Sequence, residues 1–375
     1  MKLFNREICF CDLPQSNIVV FDESHLKLIA NYILSGHTFF VYNMRPEKIY
    51  INVQIIYQFL KSLRFFNWSE IKIKKRKLRA LCAELICHYR LGCFIVMKPK
   101  VVVTMVDNFN IFHWLSKNYK EATFFAIQNG HRTNKQLTKE LSNQYISNFF
   151  CFGGYDKDRY SRFGHVVDKC YPIGSLKLGI YGEYFKKNSK IEYDVSIISQ
   201  FRENWLQNAN NYPEVKSQIL MHEFLLRCIK ESKIKAALIM SRYADNSEIG
   251  FFKNIYNDNV DFIGNDRDNF TSYSVVDKSN VIVGFNSTLI SEAFGMGKKV
   301  LRIDFTGSDD FNDYDPIILL KSPSYSVLKS RLNELLSEPY EDYKKRTKEC
   351  ASYIMNYDSD CPPHRFIREK IEKYL

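Results

Sequence analysis

The chain has 375 residues, of which 45% are apolar and 25% charged, and it carries a formal net charge of +11. Two domains are expected, because one hydrophobic core rarely organises that length, and the ordinary apolar content without low-complexity tracts or fixed-period repeats excludes a disordered or repeat protein. The basic balance points to anionic partners; no nucleic-acid-binding module is recognisable, which leaves a phosphorylated substrate or an anionic membrane surface.

The first residues, Met1-Lys2-Leu3-Phe4-Asn5-Arg6-Glu7, lack an apolar core followed by small residues, so no secretory signal is read. Short apolar, β-branched runs then alternate with longer helical patterns, the signature of βαβ units and a parallel sheet. Strands are predicted at 18–21, 38–42, 101–106, 124–127 and 149–152, with helices at 23–34, 51–63 and 75–93. Apolar stretches such as Val101 to Val106 fall short of the about 20 residues a membrane span needs. A cytoplasmic location is therefore expected, with at most peripheral docking at the inner face of the membrane. The densest basic run, Lys72-Ile73-Lys74-Lys75-Arg76-Lys77-Leu78-Arg79, reads either as a solvated helix start or as a contact for anionic lipid.

A polar stretch from Tyr181 to Lys190 has no clear period and reads as a linker. The expected division is a domain over 1–180, a linker over 181–193, a second domain over 194–340 and C-terminal helices over 341–375. In the second domain strands are predicted at 195–198, 236–240, 260–263, 281–283 and 300–303, with helices at 213–230, 248–256 and 288–296. The last segment, 324–375, reads as helical apart from a break at Pro362-Pro363. The fold class is thus α/β, two Rossmann-like doubly wound domains facing a central cleft, with ligands at the C-terminal ends of the strands. Ten cysteines without CxxC or zinc spacing read mostly as small core residues.

Four strand ends carry candidate chemistry. Val281 to Leu301 runs from a buried strand through Gly284-Phe285-Asn286 into a helix opened by Ser287 and Thr288. A helix start offers free N–H groups and a positive dipole end to a phosphate, and Glu292, one turn beyond Thr288, can accept both hydroxyls of a ribose. The plain alternative makes Ser287 an N-cap and Glu292 an acid favoured by the dipole. Ser199 and Arg202 follow the first strand of the second domain, where Arg suits an oxyanion. Asp107 and Asn108 end a strand apolar on both faces; Asp107 reads as a base, a nucleophile or a turn former. Gln128-Asn129-Gly130-His131-Arg132 ends another strand, and of these only Asn129-Gly130 is demanded by a turn. His131 could relay a proton and Arg132 could hold an acid sugar or a phosphate. Gly174-Ser175, after the last strand of the first domain, reads as a tight turn or as a hinge-side ligand contact.

The Val281 to Leu301 string resembles the donor-nucleotide segment of GT-B glycosyltransferases and the related segment of polymer glycerophosphotransferases. Lys98-Pro99-Lys100 through Asp107-Asn108, followed by Gln128-Asn129-Gly130-His131-Arg132, is similar to a pattern in bacterial surface-carbohydrate biosynthesis proteins of capsule and lipopolysaccharide assembly. The resemblance runs from about residue 17 to residue 310 and implies GT-B architecture. The donor does not follow from the resemblance; a nucleotide sugar is expected, CMP-, UDP- and GDP-linked forms all remaining open, with a glycan or lipid-linked acceptor. The expected assignment places Asp107 and His131 in catalysis and Asn108, Gln128 and Arg132 beside the acceptor. Ser199, Arg202, Asn286, Ser287, Thr288 and Glu292 are placed on the nucleotide. No cofactor is expected, and no metal, because no DxD motif stands at a strand end. The rivals are a polyol-phosphate transferase of polymer synthesis and an inactive GT-B-like scaffold in an assembly complex.

Overall fold

The computed structural model describes residues 2–3, 6–43, 48–66, 77–140, 144–187, 189–202, 212–243, 245–310 and 318–375. The chain forms two compact units. The first takes residues 1–151, 156–172 and 364–375; the second takes 152–155 and 173–363.

The first unit opens with a small sheet in which β1 (Lys2–Leu3) pairs antiparallel with β2 (Arg6–Cys9). Its main sheet is parallel throughout, built from β3 (Ile18–Phe21), β4 (Phe40–Tyr42), β6 (Val101–Thr104), β7 (Thr123–Ile127), β8 (Tyr145–Cys151) and β9 (Val166–Pro172). The order is β4-β3-β6-β7-β8-β9, and β5 (Lys48–Tyr50) joins β2 in the small sheet. β3 and β6 are buried on both faces, as strands of a doubly covered parallel sheet must be. Helices α1 (Val53–Ser62), α2 (Lys77–Met97), α3 (Asn110–Asn118) and α4 (Gly154–Arg162) follow in chain order. Phe94 of α2 is wholly buried and packs its ring on Phe21, Tyr42, Tyr119 and Phe124.

The second unit opens with α5 (Leu176–Ile180) and carries a second parallel sheet. Its strands are β10 (Tyr193–Ile198), β11 (Ala236–Ile239), β12 (Asp261–Ile263), β13 (Ser279–Gly284), β14 (Lys299–Ile303) and β15 (Leu319–Leu320), in the order β12-β11-β10-β13-β14-β15. This is the 3-2-1-4-5-6 order of dinucleotide-binding sheets. The direction of winding reverses between β10 and β13 here, and between β3 and β6 in the first unit. Helices α6 (Pro213–Ser232), α7 (Asn246–Tyr256), α8 (Thr271–Asp277), α9 (Thr288–Gly295), α10 (Tyr325–Ser337) and α11 (Tyr340–Ile354) complete it. α12 (Pro363–Glu372) returns to the first unit, where Phe366 packs on Phe150 and Tyr171.

Several expectations are corrected. The segment expected as a linker begins with a helical turn, Tyr181–Phe185, that continues α5 inside the second unit. Its aromatic residues decide this, because Tyr181 and Phe185 pack on Phe270, and Tyr181 also on Tyr273. The exchange between units therefore lies at 172–173, and the helical run of the C-terminal segment breaks at 355–362. Only Cys87, Cys93, Cys151 and Cys228 are buried; Cys11, Cys82 and Cys361 are exposed and the rest intermediate. Among the described residues one stretch, Ala80–Met97, is long and apolar enough to cross a membrane by length and composition. Its C-terminal half is committed to the first unit's core through Leu91, Cys93, Phe94 and Met97. Of the basic run, residues 72–76 lie outside the described residues.

Candidate functional site

In the first unit the Thr104 hydroxyl donates to the Phe21 carbonyl at 2.8 Å, tying β6 to β3 at the reversal of winding. The chain then turns at Asp107 and half-buried Asn108. Asp107 is wholly buried. One carboxylate oxygen accepts from the Asn129 N–H at 3.3 Å and from Arg132 Nη2. The other accepts from Arg132 Nε at 3.2 Å and from the Tyr160 hydroxyl at 3.1 Å. Burial works against the Arg132 charge, but Asp107 and Tyr160 more than reverse this and hold its pKa above the ordinary value. The carboxylate is clamped across a guanidinium fork with both oxygens doubly engaged. The geometry thus gives Asp107 the work of a positioning residue that holds the turn from Gln128 to Arg132. Arg159 supports the same turn, donating to the Arg132 carbonyl at 2.7 Å and to Asn134 Oδ1 at 2.6 Å. Buried Gln128 donates to the Gly130 carbonyl at 3.2 Å.

The turn carries His131. Its Nδ1 lies 3.2 Å from Asp156 Oδ1, and both side chains are nearly buried. The two groups stand within hydrogen-bonding distance, so Asp156 fixes the direction of the ring. Asp156 stands in the first turn of α4. An Asp-oriented imidazole at a sheet's C-terminal edge can remove a proton from a hydroxyl.

In the second unit, the loops after β10 and β13 meet at the reversal of winding. Gln200 Oε1 accepts from the Asn286 N–H at 2.8 Å. Asn286 Oδ1 accepts from Arg302 Nη1 at 3.1 Å, and Arg302 Nη2 donates to Ser291 Oγ at 2.9 Å. A Cβ on Gly284 would stand 2.9 Å from Ile290 Cδ1 and 3.3 Å from Ile198 Cβ, so strand end and helix approach closely. Ser287 is the N-cap of α9, accepting from the Leu289 N–H at 3.3 Å, and half-buried Thr288 opens the helix. Buried Glu292 sits one turn on; its Oε1 accepts from Ser175 Oγ at 2.5 Å, and the Tyr273 hydroxyl also bonds to it. Ser175 is held in turn as the N-cap of α5. Lys177 is half-buried beside this carboxylate. Burial lowers its pKa, Glu292 opposes that, and the nearby Arg267 charge adds to it. Glu292 is therefore an oriented acceptor with a cation close by, one turn into α9.

Ser199 does not join this group as a phosphate contact. Its hydroxyl donates to Glu248, which is wholly buried and also accepts from the Ser241 N–H and hydroxyl, each at 2.8 Å. The set ties the ends of β10 and β11 to the start of α7. Arg202 is exposed just beyond.

A family model described as O-antigen biosynthesis protein matches residues 125–368, about two thirds of the chain. The chain belongs to this O-antigen biosynthesis family. No curated protein matches by sequence. Among solved structures, the UDP-GlcNAc 2-epimerase of Neisseria meningitidis bound to UDP-GlcNAc is similar, with a TM-score of 0.52 at 14% identity over 95% of this chain and 99% of that one. A Listeria monocytogenes protein described as a UDP-N-acetylglucosamine 2-epimerase gives a TM-score of 0.57 at 13% identity over 96% and 97%. At such identities the likeness establishes the two-unit, GT-B-like fold.

Sequence reasoning passed over Asp156, Tyr160, Lys177, Gln200, Glu248, Tyr273 and Arg302. Asp156 carried a local signal, since Gly153-Gly154-Tyr155-Asp156 ends a strand and opens a helix. Tyr160, Tyr273 and Arg302 lie inside helices or a strand, where nothing local separates a site residue from a core one.

Proposed function

We propose that this member of the O-antigen biosynthesis family is a nucleotide-sugar-dependent glycosyltransferase that extends a surface polysaccharide. The observation that carries the reading is Glu292, held by Ser175 and Tyr273 one turn beyond the N-terminus of α9. A carboxylate has about four acceptor positions, so two can serve ribose hydroxyls while Ser175 and Tyr273 fix its direction. The N–H groups and hydroxyls of Ser287 and Thr288 would take a donor phosphate. Arg202 and Lys177 would balance the charge of the leaving nucleotide, which removes the need for a divalent ion. On the first unit, His131 would take the proton of the acceptor hydroxyl, oriented by Asp156, while Asp107 and Arg132 keep its turn in place. The acceptor would be a glycan or lipid-linked glycan on the cytoplasmic side.

A thermal-shift panel with CMP, CDP, UDP, GDP and ADP tests the reading. One nucleotide should stabilise the wild-type protein by about 2.7 kcal/mol at a hundredfold excess over Kd, and Glu292→Ala should abolish the shift. A scaffold would respond to none of them.

The fold likeness across nearly the whole chain favours one further reading, a sugar-nucleotide 2-epimerase. Inverting C2 breaks its C–H bond, so an epimerase incubated with UDP-GlcNAc in D2O would wash deuterium into C2. The transferase reading predicts no incorporation by NMR.

A further inference from the structure

The outward face of α1 is apolar. Val53, Ile56, Tyr57 and Leu60 recur at i, i+3, i+4 and i+7, on a single stripe. Val53 is 83% exposed and Leu60 60%. The opposite side is spent on the fold: Ile55 is buried, and a Cβ on Gly92 of α2 would lie 3.1 Å from Phe59 N and 3.2 Å from Ile55 O, so the two helices touch backbone to backbone. Two further exposed aromatic residues lie beyond its two ends. The Ile51 N–H donates to the Cys9 carbonyl at 2.9 Å, which brings Phe10, 72% exposed, next to the start of α1. Past its end, Phe65 is 67% exposed with the Arg64 guanidinium 4.5 Å over its ring.

From this arrangement we infer that the α1 face, with Phe10 and Phe65, docks on the surface of an anionic phospholipid bilayer. Charge selects the occupant. Lys61 and Arg64 flank the stripe, no acidic residue occurs from Val53 to Phe65, and the whole chain carries +11. Basic groups beside an apolar helix face suit a headgroup layer, with the apolar residues entering the acyl boundary and the cations meeting lipid phosphates. Two copies joined through this face would set like charges against each other. An exposed apolar helix face with cations beside it is costly to leave in water. The inference stands apart from the proposed reaction, because its readout is binding and not turnover.

The test is sedimentation of the full chain with vesicles of phosphatidylglycerol and phosphatidylcholine, against vesicles of phosphatidylcholine alone. Wild type should sediment with the anionic vesicles, and less as salt rises. V53E/L60E should bind at least about tenfold more weakly, by the cost of placing two carboxylates at an anionic surface, with unchanged Tm because both positions are exposed. K61E/R64E, altered only at flanking polar positions, should lose binding to a similar degree and serves if the first variant misfolds. Wild type staying in solution with anionic vesicles, or both variants binding as wild type, would overturn the inference. So would a wild-type dimer in light scattering that V53E/L60E dissociates, since the face would then belong to a second copy.

Discussion

At the residue scale, the two carboxylates of the first unit's site do different work. Asp107 is enclosed by Arg132, Tyr160 and the Asn129 N–H, whereas Asp156 orients an imidazole. Asp107→Asn strands a buried guanidinium, which costs about 3–5 kcal/mol and should lower Tm by about 10 °C in a unit of this size. An unchanged Tm with lost turnover would return Asp107 to catalysis. His131→Ala should abolish turnover while nucleotide binding stays close to wild type, with some loss of Tm because it leaves the buried Asp156 without this partner. Two further imidazoles bear on acid stability. Burial pulls His113 down to about 4 and His222 down to about 3. Both are neutral in the folded protein near neutral pH, while the unfolded chain takes up protons near 6.5. Their contribution is therefore complete above about pH 6.5 and is lost as the pH falls toward 4 and then 3. Thermal melts across this range should show Tm declining with acid, more shallowly in His222→Asn.

At the element scale, close approach of backbones fixes the loops that carry the site. A Cβ on Gly153 would stand 2.2 Å from the Tyr353 carbonyl oxygen, and one on Gly295 would stand 2.4 Å from Met355 Cγ. The first contact meets backbone, which cannot swing aside, and the second meets the root of a side chain, which can turn in part. Gly153→Ala should therefore cost more than Gly295→Ala, about 1–3 kcal/mol by the usual penalty for overpacking, as paired urea melts would measure. Helix α2 makes a related point: it is apolar enough to cross a membrane, yet Phe94 and Met97 are wholly buried in the core. Drawing it into lipid would dismantle that core.

At the scale of the whole molecule, the C-terminal helix belongs to the first unit although the chain reaches it from the second. Phe366 covers Phe150 and Tyr171, and Tyr374 meets Phe125 edge-on at 5.7 Å. Truncation after Cys361 should expose this aromatic face and speed amide exchange in β7, β8 and β9, with β10, β11 and β13 protected as before. Metal independence is also tested at this scale: turnover should survive EDTA treatment unchanged, and a collapse reversed by a divalent ion would remove Arg202 and Lys177 from charge balance.

Much of the architecture was legible because it is local. β-branched runs wrote β3, β6, β10 and β13 nearly to the residue, since the alternation of buried strands and amphipathic helices is carried by each segment alone. The strand-end polar residues could be picked out for the same reason. Their partners could not. Asp107 and Arg132 are 25 positions apart, Ser199 and Glu248 are 49 apart, and Ser175 and Glu292 are 117 apart. Which carboxylate meets which hydroxyl depends on strand order and register, which no single segment encodes. The sequence by itself determined two doubly wound parallel sheets and the loops on which chemistry could stand. Only the tertiary structure decided which partners Asp107, Ser199, His131 and Glu292 take, because a buried charge takes its role from the groups that the fold brings to it.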